Sequence, residues 1–72
     1  MELRSVLAAN LKQLRKAADM SQEELAGAAQ IDRTYMSSLE RCRYAASVDV
    51  IERLALALQV APSLLFQTPR VP

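Results

Sequence analysis

The chain has 72 residues, 51% of them apolar, and carries a net charge of +1 with no histidine. That length is one domain, close to the lower limit for a core that closes without disulfides or metal, and the lone Cys42 excludes an internal disulfide and a cysteine-based zinc site. Without histidine, and with no nucleophile–base pair or metal cluster in evidence, no catalytic residue, cofactor or metal is expected.

Residues 2–18 read as the first helix. Leu3, Val6, Leu7, Leu11, Leu14 and Ala18 recur at steps of three and four, opposite Lys12, Gln13 and Lys16. The second helix starts at Ser21, which forms an S-x-x-E capping box with Glu24, and Met20 and Leu25 are spaced as a hydrophobic staple. Its apolar stripe is Leu25, Ala26 and Ala29. The third helix repeats the device, with Asp32 as N-cap and Ile31 and Met36 as staple. Its stripe is Met36 and Leu39, continuing toward Cys42. The connection between these two helices is about three or four residues, which forces a steep crossing, the helix-turn-helix arrangement.

Ser47 caps a fourth helix, with Asp49 in its first turn where the dipole favours an anion. Its stripe is Val48, Ile51, Leu54, Ala55 and Leu58. Ala61-Pro62 opens a short fifth helix containing Leu64, Leu65 and Phe66. Residues 1–66 therefore form the domain, and residues 67–72, with two prolines, are expected to be a flexible tail. The fold class is all-α, a compact five-helix domain. No strand pattern competes, and no apolar run approaches a membrane span. No signal-peptide pattern opens the chain, so a cytoplasmic location is expected.

Positive charge concentrates in the first 43 residues, through Arg4, Lys12, Arg15, Lys16, Arg33, Arg41 and Arg43. The third helix carries an unusual outward face. With Met36 and Leu39 inward, Arg33, Thr34, Ser37 and Ser38 face out and Tyr35 lies at the margin. Short hydroxyls with one Arg make a face slim enough for a major groove, able to bond base edges and phosphates. Gln22, at the amino end of the second helix, is placed to bond a phosphate beside free backbone N–H groups. Hydroxyl residues are also common neutral filler on a helix, and Tyr35 could pack against the second helix.

The stretches "LKQLRKAADMSQEELAGAAQIDRTYMSSLER" and "SVDVIERLALALQVAPSLL" closely resemble the lambda-repressor-like, Cro-type (XRE) helix-turn-helix family, over about residues 7–66. Within it, "DRTYMSSLER" is similar to restriction–modification controller proteins, small dimeric regulators. The resemblance implies a sequence-specific DNA-binding transcriptional regulator that binds a pseudo-palindromic operator as a homodimer. It implies that Gln22 binds a phosphate, that Arg33, Thr34 and Ser38 fall on base-reading positions with Tyr35 and Ser37 beside them, and that Arg43 contacts the DNA backbone. It makes Arg15 and Glu40 a structural ion pair tying the first helix to the end of the third.

Val50 and Leu56 occupy positions that are normally polar in this family. With Leu64, Leu65 and Phe66 they are expected to form the dimer interface. Glu23 and Glu24 lie where some members contact RNA polymerase, although capping alone explains Glu24. Other readings the resemblance admits are a phage-type repressor or Cro-like regulator, and an antitoxin-like protein-interaction module. The family often has Gly in the turns where this chain has Gln30, Cys42 and Gln59, so these turns are expected to be strained or differently shaped.

Overall fold

The computed structural model describes residues 2–68. The predicted tail beyond Thr68 lies outside the described residues. Four α-helices run in order, α1 (Leu3–Ala17), α2 (Gln22–Ala29), α3 (Arg33–Glu40) and α4 (Val48–Leu58), followed by a 3-10 helix, Pro62–Phe66. Among the described residues there is no strand, and no helix is long and apolar enough to cross a membrane.

Local chemistry sets each start. The Ser21 side chain accepts from the Glu24 amide at 3.0 Å, and the Ser21 amide donates to Glu24 Oε1 at 2.8 Å, completing the capping box. These bonds from Ser21, against slight desolvation, hold the Glu24 carboxyl below its ordinary value. Asp32 accepts from the Thr34 amide at 2.9 Å, and Ser47 from the Val50 amide at 3.1 Å. Each such cap contributes about 1 kcal/mol by satisfying an otherwise orphaned N–H.

The core is built from Leu11, Leu25, Met36, Leu39, Leu54 and Leu65, all fully buried. α2 packs on α3 and α4, while α1 packs on α3 and the 3-10 helix, so α3 is braced from both sides. Among the described residues, every buried side-chain nitrogen and oxygen has a hydrogen-bond partner.

Three expectations are corrected. First, the fifth helix is a 3-10 helix rather than an α-helix. Pro62 contributes no N–H, and only five residues separate Ala61 from the extended Gln67. The Leu65 and Gln67 carbonyls accept from Asn10 Nδ2 on α1, at 3.0 and 2.9 Å, which ties the chain down here. Second, Val50 and Leu65 lie inside the monomer core, at 9% and 0% exposure, rather than on a dimer face. Val50 packs beside Ile51 and Leu54 in the single core, and Leu65 is the plug that the 3-10 helix supplies. Third, the α4 stripe is rotated. Val50 joins Ile51, Leu54, Ala55 and Leu58 inside, while Val48, at the first helical position, is 81% exposed. Leu3 is likewise exposed at the first position of α1.

Each α-helix closes on a non-glycine residue in the left-handed region, namely Asp19, Gln30, Cys42 and Gln59, with φ of 58°, 58°, 62° and 59°. In every case the next residue's amide reaches back five positions, as Val60 does to the Ala55 carbonyl at 3.0 Å. The turns keep the shape that glycine would allow, and the side chains bear the strain. The one glycine, Gly27, sits inside α2 at an ordinary backbone conformation, and a methyl added there would meet nothing within 4 Å. Gly27→Ala and Gln59→Gly are therefore each expected to stabilise the fold by about 0.5–1 kcal/mol. The midpoint of a thermal melt followed by circular dichroism should rise by about 2–8 °C for each.

Candidate DNA interface

Met36 and Leu39 bury one side of α3 almost completely, at 0% and 1% exposure, and this alone turns the opposite side outward. Arg33 and Thr34 are exposed, and Ser37 and Ser38 are half-buried at the margins of that face. Together with Arg41 they line a shallow hollow of about 260 Å³. The surface is polar, slim and cationic at both ends, with donors and acceptors within one helix width. Such a surface can fork a guanidinium onto a guanine and place hydroxyls on base edges or phosphates.

Arg41 is the member that sequence reasoning missed. It is the C-cap of α3, one turn on from Ser37 and two turns on from Thr34, so helical spacing alone could have placed it on the face. Tyr35 takes a different part. It is half-buried, packs against the core, and its Oη donates to the Ala45 carbonyl at 3.3 Å, pinning the connection into α4. Arg43 lies exposed just beyond α3.

Gln22 sits at the first position of α2, half-buried, and its Nε2 donates to Glu40 Oε1 at 3.0 Å. Glu40 is also gripped by Arg15, whose Nε donates to Oε2 at 2.6 Å and whose Nη2 donates to Oε1 at 3.1 Å. A further Arg15 nitrogen, Nη1, donates to the Met20 carbonyl at 2.8 Å. The pair is largely buried, with side chains 11% and 3% exposed. It joins α1, the start of α2 and the end of α3 at one point. Burial alone would raise the Glu40 carboxyl. The hydrogen bonds from Arg15 and Gln22, with the charges of Arg15 and Lys12, outweigh it and hold Glu40 below its ordinary value. The hydrogen bond to Glu40, against desolvation, and the Glu40 charge raise Arg15.

The five residues expected at a dimer face do not form one patch. With Val50 and Leu65 in the core, Leu56 (80% exposed) and Leu64 remain at the surface. Leu56 borders a hollow with Glu52, Ala55, Val60 and Pro62. Phe66 instead lines a separate apolar groove of about 540 Å³ with Leu3, Leu7, Val48 and Ile51, toward the amino end of α4.

Residues 6–65 match the helix-turn-helix domain family. A hypothetical transcription factor from Neisseria meningitidis is 44% identical over 69 residues, which are 96% of this chain and 65% of that protein. The chain thus spans about two thirds of the length of that curated relative. The crystal structure of the Neisseria hypothetical transcription factor superposes with a TM-score of 0.90 at 44% identity, over 94% of this chain and 78% of that one. The restriction-modification controller protein C.AhdI from Aeromonas hydrophila superposes with a TM-score of 0.85 at 36% identity, over 88% of this chain and 96% of that one. The clp gene regulator ClgR from Corynebacterium glutamicum superposes with a TM-score of 0.86 at 29% identity, over 90% of this chain and 69% of that one. The capped α2–α3 unit, the outward face of α3 and these likenesses lead to one assignment: the chain belongs to the lambda-repressor-like (XRE) helix-turn-helix family of DNA-binding transcription regulators.

Proposed function

We propose that the chain is a sequence-specific transcriptional regulator of the restriction–modification controller type, acting as a homodimer on a pseudo-palindromic operator. The observation that carries this reading is the chemistry of the exposed α3 face. Arg33, Thr34, Ser37, Ser38 and Arg41 form a slim surface of donors and acceptors where a solvated helix would normally carry Glu and Lys. In this reading Arg33, Thr34 and Ser38 read bases with Ser37 beside them, and Arg41 and Arg43 contact phosphates. Gln22 reaches a phosphate with the donor capacity that Glu40 leaves over, while Tyr35 holds α3 in place from its edge. The near end-to-end match to a controller protein supports the narrower assignment, since no large region of that protein lacks a counterpart.

Dimerisation follows from size and from surface. One small module buries too little for tight, specific binding, and two copies double every contact. Leu56 and Leu64 supply the apolar surface for a two-fold contact through α4 and the 3-10 helix. To read two half-sites, such a dimer presents its two α3 helices about 34 Å apart, one turn of duplex. Glu23, exposed on α2 and outside the capping box, is the acid open to RNA polymerase.

Selection of bound duplexes from a random-sequence pool tests the reading. The recovered sites should contain two half-sites related by a two-fold axis, with centres about 10 bp apart. Leu56→Glu should sediment as a monomer and recover single half-sites. A pool that yields no common sequence with the native protein overturns the proposal.

A further inference from the structure

The turn between α2 and α3 is anchored from outside the helix-turn-helix unit. Gln30 closes α2 in the left-handed region, at φ 58° and ψ 45°. Its own amide donates to the Gly27 carbonyl at 3.2 Å, and the Ile31 amide donates to the Ala26 carbonyl at 2.9 Å. The Gln30 carbonyl is directed at α4, where Arg53 Nη1 donates to it at 3.0 Å. The other side of that guanidinium is held by Asp49, one helical turn earlier. Arg53 Nε donates to Asp49 Oδ2 at 3.1 Å, and Nη2 donates to the same oxygen. Asp49 lies in the first turn of α4, where the helix dipole steadies its charge.

The chain of contacts is therefore Asp49 to Arg53 to the Gln30 carbonyl. Two residues beyond Gln30 comes Asp32, the N-cap of α3, and then Arg33. A non-glycine residue in the left-handed region is strained relative to a right-handed conformation, so this turn does not hold its angle by backbone preference. An external donor on the carbonyl restricts it. The planar fork of arginine can satisfy Asp49 with two nitrogens and keep the third for the turn, which the single nitrogen of lysine cannot reproduce.

We propose that Arg53, oriented by Asp49, is a positioning residue for DNA recognition: it holds the α2–α3 turn and thereby the angle at which α3 presents Arg33 and Thr34. The proposal rests on the DNA-binding reading of α3. Arg53 is 40% exposed and Asp49 67% exposed, so the ion pair itself contributes little to global stability. Its effect falls on the turn.

Arg53→Met keeps the aliphatic stem and removes the fork. Two measurements are made on it at a temperature where circular dichroism shows both proteins folded. One is amide hydrogen exchange by NMR. Exchange at Gln30 and Ile31 is expected to accelerate about tenfold, while Ile51 within α4 is unchanged. The other is affinity for the duplex selected with the native protein, expected to fall about five- to tenfold with the salt dependence unaltered. Arg53→Lys should fall between the two proteins in both measurements, and it carries the same comparison where Arg53→Met does not fold. Unchanged affinity overturns the proposal. So does an affinity loss with unchanged exchange at Ile31 and a salt slope reduced by about 0.9, the mark of a lost phosphate contact. If the native protein binds no duplex, the DNA reading falls, and the exchange comparison still decides separately whether Arg53 holds the turn.

Discussion

Glu40→Ala is expected to leave the chain largely unfolded at 25 °C. The substitution strands the Arg15 guanidinium, 11% exposed and aimed at the missing carboxylate, and removes the acceptor of Gln22. Breaking a buried ion pair from one side costs about 3–5 kcal/mol, because the remaining charge loses its partner without regaining water. A domain of this size has about 3–5 kcal/mol in total. Urea melts followed by far-ultraviolet circular dichroism measure the loss. The paired replacement Arg15→Met with Glu40→Leu should recover most of it, since an apolar pair of similar volume strands no charge. Recovery by the pair and collapse of the single variant separate the cost of an orphaned charge from the worth of the bridge. A Glu40→Ala protein that melts with the native midpoint would show that the three-helix junction is held by packing alone.

The same junction governs the acid limb of stability. The folded Glu40 carboxyl lies below its ordinary value. Its contribution is therefore fully present above the ordinary carboxylate range and is lost as pH falls through the folded value. Glu40→Gln keeps the shape but turns an amide NH2 toward at least one of the three donors that the carboxylate accepts from, so it should be weaker than the native protein at neutral pH. Its stability should also change less between neutral and acid pH.

Features set by near neighbours in the chain were legible from the sequence. Ser21 with Glu24, Asp32 and Ser47 cap the helices because a hydroxyl or carboxylate two or three residues from a free amide can satisfy it without help from the rest of the fold. The outward disposition of Arg33 and Thr34 followed from Met36 and Leu39 by helical period. What failed to show depends on distant partners. Val50 and Leu65 looked surplus to one helix face, yet a core shared by four helices and a 3-10 helix has room for both. The 3-10 geometry of Pro62–Phe66 is tied to Asn10, more than fifty residues away in the chain. The Arg53 contact to Gln30 has no local signature, because the acceptor is a backbone carbonyl that any residue would provide. The contact between Arg15 and Glu40 is equally invisible to periodicity. Only the family resemblance implies it.

Arg33→Ala combined with Thr34→Ala is expected to abolish specific binding while leaving the fold intact. Both residues are exposed at the start of α3, and neither supplies the cap, which comes from Asp32. Alanine is the better helix former, so the melting midpoint should stay level or rise slightly. On DNA the effect is large. A bidentate base contact discriminates by about 1–3 kcal/mol, and a two-fold dimer loses it twice. The affinity for the selected duplex should therefore fall by about 30- to 10⁴-fold, at roughly 1.4 kcal/mol per tenfold. The loss has a signature beyond its size. Removing a base contact relaxes preference at the base pair it reads, whereas Arg43→Ala, at a phosphate, should weaken native and scrambled duplexes alike and lower the salt slope by about 0.9 per contact. Fluorescence anisotropy against both duplexes, across a salt series, distinguishes the two. If the double variant binds the selected duplex as the native protein does, the α3 face does not read bases, and the surface exposed by burying Met36 and Leu39 serves another partner.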